Sequence, residues 1–395
     1  MYTLRNLVRT ILMCFALCAC AIGGDSNSEN MAADQGNAQS SDNSCPKKDQ
    51  SWTFLFYIVA DDGSQGFDGS TVRDLNTMPS LPENVEALIL LDRCSVPLWP
   101  VSTTTGPLLD SCAQLYRIQR DGGAELLDTA PHKLNWLQGV EGDLNMGSAD
   151  TLSRFILFGM EYSDTTNYGL IISGHGNGDQ VGFDSTNDSS LNHPEVAFAF
   201  NKALTTLAQP CQPKLDMVVM AACAMATAGM YTSLSPHVDW LIASQENIYG
   251  YDLAWMHELG AHHPEGNISK SEISEALKNA RIDGETGTGQ QVTLMLSEEM
   301  AQTLETLVTQ VGAALIEDDF PRSDLEDASF NPRTYDLRLV TEKIQDAQVL
   351  EQVDALLEQA IFEQTELSEG MRDALQTHGI SVTTSDLGLP GSLLF

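Results

Sequence analysis

Basic residues are scarce in this chain: 20 Lys and Arg stand against 55 Asp and Glu in 395 residues. A formal net charge of −35 excludes the cationic surface that nucleic acid or an anionic membrane requires of a partner. The acids are scattered rather than clustered, so they read as a solvated surface. Such a surface would draw basic peptides and cations, and a salty habitat accounts for the same balance. Long apolar runs are also missing. Beyond residue 20 nothing reaches the roughly 20 apolar residues of a spanning helix, although 42% of the chain is hydrophobic. A soluble body with a sizeable core is the expectation. No internal repeat is visible.

The first twenty residues differ from the rest. Arg5 and Arg9 precede the apolar stretch Ile11 to Ala19, which reads as a bacterial export signal over residues 1–20. Leu17-Cys18-Ala19-Cys20 resembles a lipobox, which would make Cys20 the lipidated first residue of the mature chain. The alternative is an ordinary leader that happens to contain cysteines. Removal of the leader takes both arginines and leaves 18 basic against 55 acidic residues, a net of −37. Residues 21–50 are rich in Ser, Asn, Asp, Gln and Gly and read as a disordered polar linker. The expected location is the bacterial cell envelope, lipid-anchored at the outer membrane or cell surface, or secreted. Any membrane contact would run through Cys20 alone.

Cysteine is sparse too. Past Cys20 only Cys45, Cys94, Cys112, Cys211 and Cys223 remain. An odd number in an oxidising compartment leaves at least one thiol. Cys94 with Cys112, and Cys45 with Cys211, are plausible pairs by position, and Cys223 is the odd one out; sequence alone does not fix connectivity.

From Trp52 the pattern changes. Short apolar runs at 52–59, 87–91, 168–173, 215–221 and 240–244 read as strands buried on both faces. Helical patterns at about 68–77, 148–162 and 193–207 fall between them. The second of these has a serine at its start and places Leu152, Phe155, Ile156 and Gly159 on one face. This alternation predicts an α/β fold with a mainly parallel sheet flanked by helices over residues 51–255. Residues 256–395 read as mostly helical and completing that sheet. The predicted elements there are a strand at 292–296, helices at about 297–316, 337–361 and 366–378, and a last strand at 379–383. The stretch 317–334 reads as an irregular connection.

Ligands of such sheets bind beyond the carboxyl ends of the strands, and two chemically competent residues fall there. The third strand runs into Ser173-Gly-His-Gly-Asn-Gly178, and the fourth into Ala221-Ala-Cys-Ala-Met225. A cysteine thiol needs a nearby base or cation to react, and a leaving amine needs a proton donor; one histidine serves both. If the two strands are parallel neighbours, His175 and Cys223 emerge at one edge, about 5 Å apart by strand spacing. Backbone N–H groups of Gly176 and Cys223 would then hold an oxyanion. Singly, a histidine in a glycine loop or a buried cysteine has a structural reading; together at successive strand ends they point to catalysis.

At these residues the chain resembles the clostripain-type cysteine peptidases, family C11 of the caspase-like clan CD. The stretches that carry the likeness are 56–61 with 72–78, Leu144 to Leu152, Leu170 to Gly178, and Ala222 to Ala226 with Leu241 to Glu246 and Gly250-Tyr251. The resemblance implies a caspase-like fold, His175 as acid/base, Cys223 as nucleophile and a thioester acyl-enzyme. One departure stands out. The family usually has an aspartate two residues before the cysteine, lining a pocket for arginine or lysine; here that position is Ala221. The expected pocket comprises Ala221, Ser244 and Glu246, with a P1 residue other than Arg or Lys unless an acid such as Glu246 substitutes. Between His175 and Cys223, self-processing after a basic residue has only Lys202 and Lys214 to use.

The expected function is therefore an exported cysteine endopeptidase acting on peptides or proteins, with no nucleic-acid partner. An inactive surface-binding lipoprotein on the same fold is the alternative. No cofactor or metal is expected in the reaction, while some relatives use calcium. Asp61-Asp62-Gly63 and Asp179 to Asp184 offer oxygen ligands, but neither has the spacing of a calcium loop. His257-Glu258-Leu-Gly-Ala-His262 has one residue too many for a zinc-protease motif and reads as structural. Trp240 and Trp255 are assigned to the core rather than to a pocket wall.

Overall fold

The computed structural model describes residues 51–61, 80–92, 113–127, 144–207, 214–244, 291–317 and 337–365, together with scattered residues between 255 and 277 and between 320 and 335. The leader, the linker, the helices expected at 68–77 and 366–378, the strand expected at 379–383, and Cys20, Cys45, Cys94, Cys112 and Cys211 lie outside these residues. So do Glu246, Gly250, Tyr251, His257 and Glu258.

Nine strands form one sheet. In chain order they are β1 (Trp52–Val59), β2 (Val85–Asp92), β3 (Ala113–Ile118), β4 (Ala124–Leu126), β5 (Asn167–Ser173), β8 (Leu215–Ala221), β9 (Val238–Ser244), β10 (Gln291–Ser297) and β13 (Ile361–Thr365). Two small hairpins stand apart: β6 (Gln180–Asp184) with β7 (Ser189–Asn192), and β11 (Ser329–Asn331) with β12 (Thr334–Tyr335). The sheet order is β13-β10-β9-β8-β5-β1-β2-β3-β4. Its centre, β9-β8-β5-β1-β2, is parallel throughout. Both flanks are antiparallel.

The central strands are apolar on both faces because both are covered. Leu55, Tyr57 and Val59 of β1 join the core under α1 (Ala149–Tyr162), α2 (His193–Leu207), α3 (Ala228–Leu234), α4 (Glu298–Glu317), α5 (Leu337–Ile344) and α6 (Ala347–Ala360). Trp52, Phe54, Phe56 and Ile58 face the other way, against Trp255, Met256, Leu259, Ile268 and Leu277. Each fully buried large side chain of this kind contributes about 1.5–3 kcal/mol. Trp255 packs edge-on to Phe54 at a centroid distance of 4.8 Å, and the Trp52 indole N–H donates to the Ile268 carbonyl at 2.7 Å. Trp255 is core, as expected from the sequence, whereas Trp240 is only partly buried.

Three features depart from the sequence reading. The helix expected across 337–361 is broken into α5 and α6 at Gln345, whose φ of 56° is left-handed. Asp346 restarts it by accepting the N–H groups of Gln348 and Val349. Ser148 stands at the N-cap of α1, but its side chain makes no capping hydrogen bond. The short antiparallel strands β3, β4, β6, β7, β11, β12 and β13 lie outside the runs read from the sequence, each too brief for a clear periodicity.

The register between β5 and β8 places the site. Gly169 faces Met217 and Ser173 faces Ala221. It is pinned at the opposite end by Asp216, a buried carboxylate that accepts the Tyr168 N–H at 3.0 Å. Lys270 lies 3.5 Å from the same carboxylate and 3.0 Å from Asp239. Replacing Asp216 by alanine leaves a buried N–H without its acceptor, at a cost of about 1–3 kcal/mol. The expected result is a lower urea midpoint for Asp216→Ala and a smaller loss for Asp216→Asn, which keeps a carbonyl acceptor.

Candidate active site

The parallel strands run β1, β2, then back across β1 to β5, β8 and β9, so the order reverses between β1 and β5. The crevice at the carboxyl ends beside such a reversal is where open α/β sheets bind ligands. Asp61 follows β1, Asp92 ends β2, His175 lies two residues past β5, Cys223 two residues past β8, and Ser244 ends β9. His175 is exposed and Cys223 half-buried, and Cys223 carries a thiol rather than a disulfide.

Because Ser173 and Ala221 are register partners, His175 and Cys223 sit equal distances beyond one rung of the ladder. The loops then touch directly. A Cβ built on Gly176 would stand 2.6 Å from the Cys223 carbonyl oxygen, 2.9 Å from the Met225 sulfur and 3.0 Å from the Ala222 Cβ. Only glycine allows this approach of the histidine loop to the cysteine loop. The histidine loop is held from its far side by a bridge between Gly176 and Val181. The Gly182 N–H donates to the His175 carbonyl at 2.9 Å and the Asn177 N–H to Gln180 at 3.1 Å. Both bonds come from other residues, so the bridge does not engage the Gly176 N–H.

The cysteine loop is equally constrained. Ala224 has φ of 60°, a left-handed conformation that costs an alanine about 1–2 kcal/mol. Strain of this kind persists only where surrounding contacts over-determine the backbone. Here the Ala226 N–H donates to the Ser244 carbonyl at 2.8 Å, and Thr227 caps α3 by accepting the Met230 N–H. The nucleophile candidate therefore lies on a short, anchored turn.

Of the expected pocket residues, Ala221 shares a core face with Ile242, and Ser244 follows two residues on along the same strand. Both are buried, Ala221 at 6% exposure, so an acid at that position would be desolvated. Lys202 lies within α2, paired with Asp150 at 2.7 Å, and Lys214 immediately precedes β8, bonded to Glu298 and to the Ser235 carbonyl at 3.2 Å.

Sequence reasoning named Asp61 and Asp184 separately and missed Asp92; the fold brings all three buried carboxylates within 4.8 Å of one another. Asp61 accepts Ser185 Oγ and the Thr186 N–H. Both oxygens of Asp184 take N–H donors, from Asn187 and Met146. Calcium takes six to eight oxygens, and these three close, buried carboxylates offer part of such a set. The bonds to Asp61 and Asp184 also fix the loops around the crevice. Tyr57 belongs to the same network. Burial, then the charges of Asp92 and Asp184, push its phenol well above the ordinary value, so it stays protonated and donates to the Met146 carbonyl at 2.6 Å.

Residues 56–317 match the model of the clostripain family, Peptidase C11. The chain belongs to the clostripain family. It is thus a cysteine-type endopeptidase, and the inactive binding reading is not favoured. A secreted C11 cysteine protease from Bacteroides thetaiotaomicron, solved with an irreversible peptide inhibitor, is similar in fold: TM-score 0.54 at 16% identity, over 80% of this chain and 84% of that one. An inactive zymogen C11 protease from Parabacteroides distasonis gives TM-score 0.52 at 16% identity, over 81% and 85%. No curated protein matches the chain. The caspase-like α/β sheet expected from the sequence is thereby the observed one.

The loop contact generates a direct expectation. Gly176→Ala forces the two loops apart by a few tenths of an ångström or more, and misplacements approaching 1 Å cost about 100-fold in rate. Peptidase activity should fall by about that factor while the thermal midpoint moves little. Unchanged activity would mean that the two loops are not coupled in catalysis.

Proposed function

We propose that this clostripain-family peptidase cleaves through a dyad of His175 and Cys223, after export to the cell envelope. The observation that carries the reading is the seating of Gly176 against the Cys223 carbonyl, on strands whose register puts both residues beyond one rung. His175 takes the thiol proton, and the Cys223 sulfur attacks the scissile carbonyl carbon. The N–H groups of Gly176 and Cys223 hold the resulting oxyanion. The amide C–N bond breaks as the imidazolium gives its proton to the leaving amine, which leaves a thioester. Water, deprotonated by His175, then attacks the thioester; the carboxylate product departs and the thiol is restored. No metal or cofactor enters these steps.

Substrate choice follows from Ala221. A buried methyl group supplies no charge partner for an arginine or lysine at P1, so an uncharged P1 side chain is the preferred one. The acidic surface still favours approach of basic substrates at long range, an effect that salt screens. Export rests on the leader-like residues 1–20, with Cys20 as the lipid-anchored residue.

Cleavage-site profiling of the purified mature protein on a mixed peptide library tests this reading. Cys223→Ala should abolish cleavage, and His175→Ala should lower it by about 100- to 10,000-fold, the usual worth of general acid–base catalysis. Ala221→Asp should shift P1 selection toward arginine and lysine. Cleavage that survives in Cys223→Ala refutes the dyad, and a wild-type preference for basic P1 residues refutes the pocket assignment. Labelling with a fatty-acid analogue should vanish in Cys20→Ser; persistence refutes the anchor.

A further inference from the structure

The histidine that the dyad does not use is the one best placed to support it. His193 opens α2, where a reciprocal pair fixes the helix start: the Glu195 N–H donates to Asn192 Oδ1 at 3.0 Å and the Asn192 N–H to Glu195 Oε2 at 2.9 Å. With the helix start held, the His193 side chain points between the two loops of the site. Its Nε2 lies 2.6 Å from the Gly178 carbonyl of the His175 loop and 3.3 Å from Thr227 Oγ1, four residues past Cys223. The ring also rests on α3, where a Cβ built on Gly229 would stand 2.6 Å from Nδ1 and 3.1 Å from Cε1.

A carbonyl only accepts, so Nε2 must carry the hydrogen. Thr227 Oγ1 lies within range of the same N–H and also accepts the Met230 N–H. One imidazole thus bonds to the loop that carries the acid/base and touches the N-cap of the helix that follows the nucleophile. Burial holds its pKa below the ordinary histidine value, against the opposing effects of the Gly178 carbonyl and Asp179, so the ring is neutral at neutral pH.

We infer that His193 is a positioning residue, a clasp between the His175 and Cys223 loops that sets their separation without touching substrate. The inference rests on the dyad proposed above. It assigns to the first turn of α2 a role that its helical periodicity alone does not reveal. One short hydrogen bond to Gly178 and a close polar contact with Thr227, in a buried setting, suffice, because the loops need be fixed only to a fraction of an ångström.

Three variants of the mature protein test it, each read by peptide hydrolysis, thermal midpoint and amide hydrogen exchange. His193→Leu removes the donor at similar volume. His193→Gln restores an N–H at nearly the Nε2 position. Gly229→Ala displaces the ring while improving helix propensity on α3. The expected result for His193→Leu and Gly229→Ala is a kcat lower by about 10- to 100-fold with KM little changed. Amides of both 176–180 and 223–227 should exchange faster, and Gln should recover most of the rate.

The clasp is refuted if exchange in either loop is unchanged in His193→Leu and Gly229→Ala. It is refuted equally if Gln fails to restore a rate lost without a fall in thermal midpoint. Exchange reads the clasp whether or not His175 and Cys223 are the reacting pair. A failed dyad would appear separately, as activity retained in Cys223→Ala.

Discussion

Parallel pairing of β5 with β8 is the constraint on which the rest of the molecule depends. The loops that carry His175 and Cys223 continue directly from these two strands. Each inherits its position from a strand buried on both faces, and the two strands share a register that aligns Ser173 with Ala221. A slip by one residue would exchange the two faces of one strand, so that side chains packed into one layer would meet the other. The cost of burying Leu170, Ile172, Val218 and Met220 wrongly therefore protects the relative placement of His175 and Cys223. Packing energy at the centre of the sheet becomes geometric precision at its edge.

Polar groups around the crevice complete what packing begins. Asp61 draws the β6–β7 hairpin onto the end of β1, and Asp184 and Tyr57 both bond to Met146 and so tie in the chain that enters α1. These bonds are buried, where an acceptor without its donor is expensive, so they tolerate few alternatives. The strain at Ala224 and the close approach at Gly176 persist within this frame. A rigid sheet edge with a strained turn beside Cys223 suits a reaction whose transition state demands alignment more than motion.

Much of this was legible in the sequence because long parallel strands are apolar runs bounded by turn residues. The five central strands and the helices at 149–162 and 193–207 follow from that pattern and from the first apolar faces. His175 and Cys223 were legible because both sit just past such runs. The sequence is silent where three-dimensional convergence matters. Asp92 ends an apolar strand and looks like ordinary strand punctuation; only the sheet order brings it beside Asp61 and Asp184. His193 reads as the first residue of a helix, although Asn192 and Glu195 at capping-box spacing signalled a fixed helix start. The break at Gln345 was hidden because the apolar periodicity resumes in phase with the core on either side.

The central claim is that the Cys223 sulfur is the atom that attacks substrate and that His175 makes it reactive. The most direct measurement is mass-spectrometric mapping of the adduct formed by a peptidyl electrophile with an uncharged P1 residue, compared between wild type and His175→Ala. The account predicts one adduct per chain, on Cys223, forming much more slowly in the variant. Adduct on another residue, or equal rates in the two proteins, would contradict it.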